Sequence, residues 1–207
     1  MTIAREFLPL DGLGRRRLKV AFVGTHGVGK TTLCYDLAAQ LKRLDLGVEL
    51  VKEVARRCPL PINEQTTPDA QAWILHTQMA EELAAAANYE VVICDRSVLD
   101  NYAYLVARIG RRPEFDALVK SWIGTYNYLL KVPVIDAPSF DGTRAVSQNF
   151  QLEIDDTIDG LIASFEVEVL RLDPMDRDAW IPTVIQTLGL PQRPPQIDLF
   201  SLGTASR

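Results

Sequence analysis

The chain has little from which to build a metal cage or a cross-linked scaffold: it carries two histidines and three cysteines, and no two cysteines are spaced as C-x-x-C. A zinc site is therefore not expected, and Cys34, Cys58 and Cys94 read as free thiols of a cytoplasmic protein. No apolar run approaches the roughly 20 residues that a membrane-spanning helix requires. Residues 1–14 lack the continuous apolar stretch of a secretory leader, so neither a membrane partner nor export is expected. Positive charge is also scarce: 22 Lys and Arg stand against 27 Asp and Glu, a net charge of −5. No global basic field is present to hold a nucleic-acid duplex by counterion release, which leaves only a local groove open to that role. Internal repeats and low-complexity tracts are absent. What remains, 207 residues with 47% hydrophobic and 24% charged, suits one ordinary globular domain with a sizeable core.

What is present is organised around residues 24–32, Gly24-Thr25-His26-Gly27-Val28-Gly29-Lys30-Thr31-Thr32, which fit the pattern G-x-x-x-x-G-K-[ST] and follow the apolar run Leu18–Val23. This is a P-loop. Its glycines let the backbone curl into a nest whose N–H groups point at phosphate oxygens, and the helix that follows adds its positive dipole end. Lys30 then reaches the β- and γ-phosphates, and the Thr31 hydroxyl is the expected Mg²⁺ ligand. Nucleotide binding follows from the motif.

Around this loop the chain alternates. Residues 1–17, with Pro9, Gly12, Gly14 and the run Arg15-Arg16-Arg17, have no sustained period and read as a loosely attached arm with solvated arginines. After the P-loop, Leu33, Leu37, Leu41 and Leu44 recur at helical spacing and Gly47 serves as a stop. Residues 48–52 form a second strand ending at Glu53. Thr67-Pro68-Asp69 starts a helix to about residue 87, whose polar members Gln71, Gln78, Glu81 and Glu82 read mostly as solvated. Strands over 90–94, 126–132 and 166–172 and helices over 99–109, 113–124, 148–164 and 176–188 complete the series. The alternation gives a parallel five-stranded sheet with helices on both faces, an α/β three-layer sandwich of the P-loop NTPase kind spanning residues 18–188. Pro191, Pro194 and Pro195 then mark residues 189–207 as a flexible tail.

Asp95 ends an apolar strand, as an acid does that supports Mg²⁺, with a helix N-cap as the plain alternative. The next residue is Arg96, a phosphate-binding cation, where motor ATPases place a water-activating glutamate. Glu53 stands at the C-terminal end of strand two, where open α/β sheets bind ligands, and its carboxylate is suited to receive the proton of an attacking hydroxyl. Arg56, three residues on, is a clamp for substrate charge. The polar segment 136–147 lies between the fourth strand and the next helix, where P-loop kinases carry a lid, and its Arg144 is the candidate cation for the charge that develops on the transferred group. Arg108, Arg111 and Arg112 are explained as well by a solvated face.

The P-loop, Glu53-Val54-Ala55-Arg56, Asp95-Arg96-Ser97, Asp100 with Tyr104, and Asp141-Gly142-Thr143-Arg144 together resemble the P-loop kinase-like ATP-binding proteins grouped around the nicotinamide riboside kinase domain. More distantly they resemble thymidylate and deoxynucleoside kinases. The resemblance implies strand order 2-3-1-4-5, Glu53 near the acceptor hydroxyl, Arg96 on acceptor or phosphate, Arg144 in the lid and Gln78 against a base. The expected activity is ATP:Mg²⁺-dependent phosphoryl transfer to a nucleoside, nucleotide or similar small metabolite. A nucleic-acid end kinase or repair ATPase and a non-catalytic ATP-binding module are the alternatives. In the tail, Gln196-Ile197-Asp198-Leu199-Phe200 resembles the pentapeptide that binds the bacterial sliding clamp, which makes that clamp a candidate partner.

Overall fold

The computed structural model describes residues 3–62, 65–136 and 147–193. Five parallel strands, β1 (Leu18–Val23), β2 (Val48–Val51), β3 (Val91–Asp95), β4 (Tyr128–Lys131) and β5 (Leu170–Arg171), form one sheet in the order β2-β3-β1-β4-β5. This is the expected order. β3 is buried along its whole length and β1 at every position except Lys19, as befits strands covered on both faces.

Helices α1 (Lys30–Arg43) and α6 (Trp180–Thr187) cover one face. There Leu33, Leu37 and Leu41 pack with Val20, Phe22, Ile93, Trp180 and Val184. Helices α2 (Pro68–Asn88), α3 (Val98–Ile109), α4 (Pro113–Ile123) and α5 (Gln148–Phe165) build a second core on the other face, around Val23, Cys94, Leu99, Tyr102, Ile154 and Ile158. No helix among the described residues is long and apolar enough to cross a membrane.

Helix α2 starts at its sequence signal. The Thr67 side chain accepts from the Ala70 N–H at 3.1 Å, with Pro68 in the first turn. Other expectations need correction. The first described residues are held against the domain rather than loosely attached: Ala4 and Leu8 are buried, and Arg16 and Arg17 donate to the backbone carbonyls of Glu6, Leu8 and Tyr89 instead of being merely solvated. Helix α1 ends at Leu44 and Asp45, the latter at φ 60, two residues before Gly47. β5 is only two residues long, because the end of α5 turns through Glu166 at φ 55 and uses up the start of the expected strand. α6 begins at Trp180 rather than 176, after an irregular turn.

The polar residues of α2 are the largest departure, since Gln71, Gln78 and Glu82 are buried. Glu82 accepts hydrogen bonds from Lys19 Nζ (3.0 Å), Trp122 Nε1 (2.8 Å), the Tyr126 hydroxyl (2.6 Å) and Gln78 Nε2 (2.9 Å). A buried carboxylate is tolerable only when so surrounded by donors. Glu81, by contrast, stays at the surface with Arg57.

Candidate functional site

Parallel register brings the strand ends to one edge of the sheet. Phe22 lies opposite Asp95, Val51 opposite Cys94 and Val23 opposite Lys131, so the chain leaves β1, β2 and β3 at the same level with the P-loop, Glu53 and Arg96. The loop between β1 and α1 passes so close to β4 that a Cβ on Gly24 would stand 2.9 Å from the Val132 carbonyl oxygen. Only glycine fits there. Gly29, at φ 91, opens α1 without a side-chain cap, which leaves the first N–H groups of the helix for an anion.

Two helices, α3 and α5, hold the loop from outside. One Asp100 oxygen accepts from the Gly24 N–H at 2.5 Å, while the other accepts from the N–H and hydroxyl of Ser97 at 2.7 and 2.8 Å. Ser97 and Asp100 thus make the capping box of α3, and the same aspartate fastens the P-loop to it. Ser97, not Asp95, caps this helix, so the plain N-cap reading of Asp95 does not hold. His26 Nδ1 lies 3.0 Å from the Tyr104 hydroxyl and its ring 5.6 Å from Phe150, and its carbonyl accepts from Gln151 Nε2 at 2.9 Å.

Lys30 is buried and curls back on its own loop, donating to the carbonyls of Gly24 (2.8 Å) and Thr25 (2.5 Å). Burial pushes its ammonium down to about 8, and the Arg96 charge acts the same way. Thr31 donates its hydroxyl to Asp95 at 2.6 Å. Burial raises the Asp95 carboxyl above its usual range. A hydroxyl and a carboxylate in contact, both hard oxygen donors, fit Mg²⁺, which commonly keeps waters and phosphate oxygens for its other ligands. No group of three or more His, Cys, Asp or Glu side chains able to hold a metal occurs among the described residues, so a divalent ion here would depend on the nucleotide.

Beside this corner, Glu53 accepts from Arg96 Nε with one oxygen and from Arg56 Nε with the other, each at 2.7 Å. Burial acts to raise its carboxyl, but the charges of Arg96, Lys30 and Arg56 outweigh it and hold the group at about 2. Arg96 itself sits at φ 107, unusual for a side chain-bearing residue, and its ring-facing guanidinium lies 5.1 Å from the Tyr104 centroid. A cleft of about 440 Å³ opens here, walled by Thr31, Tyr35, Leu50, Glu53, Arg56 and Asp95.

The residues expected from the sequence thus come together in one place, from Gly24 to Thr32 with Glu53, Arg56, Asp95 and Arg96. Gln78 sits one step behind them: its Nε2 donates to the Arg96 carbonyl at 3.2 Å as well as to Glu82. Its Oε1, with Arg96 Nη1 and Asn101 Nδ2, is buried and lacks a hydrogen-bond partner among the described residues. Arg144 and the pentapeptide Gln196 to Phe200 lie outside the described residues. Asp100 enters the sequence reading only through the family resemblance, although its spacing to Ser97 is the signal of a capping box, whereas no local pattern marks Gln151 as the residue that holds the P-loop carbonyl.

Solved structures share this architecture at low sequence identity. Deoxyadenosine kinase from M. mycoides with bound dATP superposes with a TM-score of 0.60 at 16% identity, over 84% of this chain and 100% of that one. The same enzyme with dCMP and a flexible dCDP gives 0.61 at 16%, over 83% and 99%. Thymidylate kinase from Ehrlichia chaffeensis gives 0.61 at 17%, over 83% of this chain and 98% of that one. No curated protein matches the sequence significantly. The fold is therefore that of the P-loop kinases, and since the AAA domain model matches residues 19–178, the chain belongs to that family of P-loop domains.

Proposed function

We propose that the protein is a kinase that transfers the γ-phosphoryl group of ATP to the hydroxyl of a small acceptor, a nucleoside, a nucleotide or a similar metabolite. The observation that carries this reading is the ion pair of Glu53 with Arg96, next to the Thr31–Asp95 contact. A hydrolytic P-loop enzyme needs a group that activates water near the metal acid. This chain instead offers a guanidinium locked to a carboxylate at the mouth of an acceptor-sized cleft. The named activities of the structural neighbours, deoxyadenosine kinase and thymidylate kinase, support the same class.

In this reading the P-loop N–H groups and Lys30 hold the β- and γ-phosphates, and Thr31 and Asp95 hold Mg²⁺, whose charge neutralises the phosphate oxygens. Glu53, ionised far below neutral pH, receives the hydrogen bond of the acceptor hydroxyl and aims it at phosphorus. Such a weak base suffices because the loose transition state of phosphoryl transfer demands little deprotonation before the new bond forms. Arg96 steadies Glu53 and meets the acceptor or the transferred group through its Nη1, which has no hydrogen-bond partner among the described residues.

The test is Glu53→Gln, assayed by transfer of labelled γ-phosphate across a panel of nucleosides and nucleotides. Transfer is expected to fall by about 10²-fold or more while the Kd for ATP stays within about threefold, because the carboxylate touches only the second substrate. Failure of the wild-type protein to phosphorylate any member of the panel, with steady ATP hydrolysis in its place, would replace the kinase reading with an ATPase.

A further inference from the structure

The cations on the β2–β3 flank of the P-loop are already engaged: Lys30 by the carbonyls of Gly24 and Thr25, Arg96 and Arg56 by Glu53. The opposite flank holds a different kind of cation. Arg177 lies in the turn between β5 and α6, and its Nη2 would stand 3.6 Å from a Cβ on Gly29, the residue that opens α1. Its guanidinium carbon sits 5.4 Å from the centre of the Trp180 ring. That ring is a fixed platform, since Trp180 is buried and its Nε1 donates to the Asp173 carbonyl at 2.6 Å.

Charge pairing among the described residues does not account for this placement. The anion facing Arg177 among the described residues is Asp136, with Oδ2 3.6 Å from Nη1, beyond hydrogen-bond length. Its side chain is 77% exposed and that of Arg177 56%, so the pair is a loose surface contact worth little. A planar fork of five donors is thus held on an aromatic ring beside a phosphate-binding loop, with its hydrogen-bonding capacity open among the described residues.

Sheet order decides which part of a nucleotide it meets. β3 carries Asp95 and Arg96 on one side of β1, whereas β5 lies beyond β4 on the other side. Thr31, Asp95, Glu53 and Arg96 mark the end where the γ-phosphate would leave. We infer that Arg177 binds the α- and β-phosphates of the nucleotide from the flank opposite Glu53 and Arg96. This rests on the nucleotide-binding reading proposed above. A contact to phosphates that do not move is made equally before and during transfer, so it lowers KM without raising kcat.

The experiment compares the wild-type protein with Arg177→Ala and Arg177→Lys by calorimetric titration of ATP, GTP, ADP and inorganic tripolyphosphate, with kcat and KM measured on any acceptor found. The alanine variant is expected to bind all four about tenfold more weakly, the loss of one charge-assisted contact, with lysine recovering part of it and kcat unchanged within about twofold. Circular dichroism verifies the fold, which a half-exposed side chain is not expected to govern. Unaltered Kd values in the alanine variant would overturn the assignment and leave the kinase reading in place. Weakening confined to ATP, with GTP and tripolyphosphate unaffected, would overturn it in favour of a base contact, and a drop in kcat at constant KM would overturn it in favour of the transferred group. Binding that depends on Arg177 in a protein without transferase activity would uphold the inference while removing the kinase. A wild-type protein that binds none of the four would end both.

Discussion

The two faces of the sheet are built on different principles. Between the sheet and α1 with α6, the core is apolar: Leu37, Leu41, Phe22, Ile93 and Val184 pack in one apolar cluster. Between the sheet and α2 to α5, apolar residues share the interior with Glu82, Gln78, Asp100, Asn101 and Gln151, all buried. Apolar packing tolerates exchange, because its energy is spread over many weak contacts. A buried polar group is fixed in orientation by each partner, and losing one partner leaves the others uncompensated. The polar members run toward the P-loop edge, where Asp100 holds Gly24, Gln151 holds His26 and Gln78 holds Arg96. One face therefore supplies stability in bulk, and the other sets the position of the site.

The largest expected effect tests the polar face. Glu82→Ala removes the shared acceptor of Lys19, Trp122, Tyr126 and Gln78 and should cost about 3–5 kcal/mol, as for other broken buried charge networks. Because Gln78 also loses its anchor, the Glu53→Gln-type assay should register a fall in transfer even below the melting temperature. A variant that melts early but turns over normally would show the network to be structural alone.

Leu37→Ala is the counterpart on the apolar face. Leu37 is fully buried, and truncation there should cost about 2–5 kcal/mol in urea unfolding, somewhat less than Glu82→Ala on average. ATP affinity and kcat at low temperature should match the wild type. A tenfold change in either would erase the division between the faces.

The smallest effect concerns protons. Lys30 is held at about 8 in the ligand-free protein, against an ordinary 10.5, whereas phosphates beside it favour the charged form. Nucleotide binding just above that value should therefore take up a fraction of a proton, and affinity should decline as pH rises further. Calorimetry in two buffers of different ionisation enthalpy reads the uptake directly, and heats independent of buffer would exclude it. For folding the sign is reversed: the unfolded chain binds more protons between about 8 and 10.5, so stability of the free protein rises across that window.

Much of this was legible in the sequence, for reasons that can be named. The P-loop and the strand-end acid Asp95 are short-range patterns, and strand order followed from the family resemblance, whereas the Ser97–Asp100 box emerges only from the structure. Residues Gln78 and Glu82 misled because a helix with polar side chains on several faces normally meets water, while α2 is covered by α3, β2 and β3 at once. The donors to Glu82, Lys19, Trp122 and Tyr126, are 63, 40 and 44 residues away in the chain, and no periodicity reports such a meeting. Arg177 was hidden for the same reason, in an irregular turn whose neighbour Gly29 is remote in sequence. Residues 137–146, with Arg144, lie outside the described structure.

The backbone at Arg96 carries a meaning of its own. A residue with a side chain at φ 107 costs on the order of 1–3 kcal/mol, and here its carbonyl is gripped by Gln78 while its guanidinium is gripped by Glu53. That tension is already present in the ligand-free fold. On the proposed reading, each successive nucleotide would therefore meet an arginine already aimed by the fold.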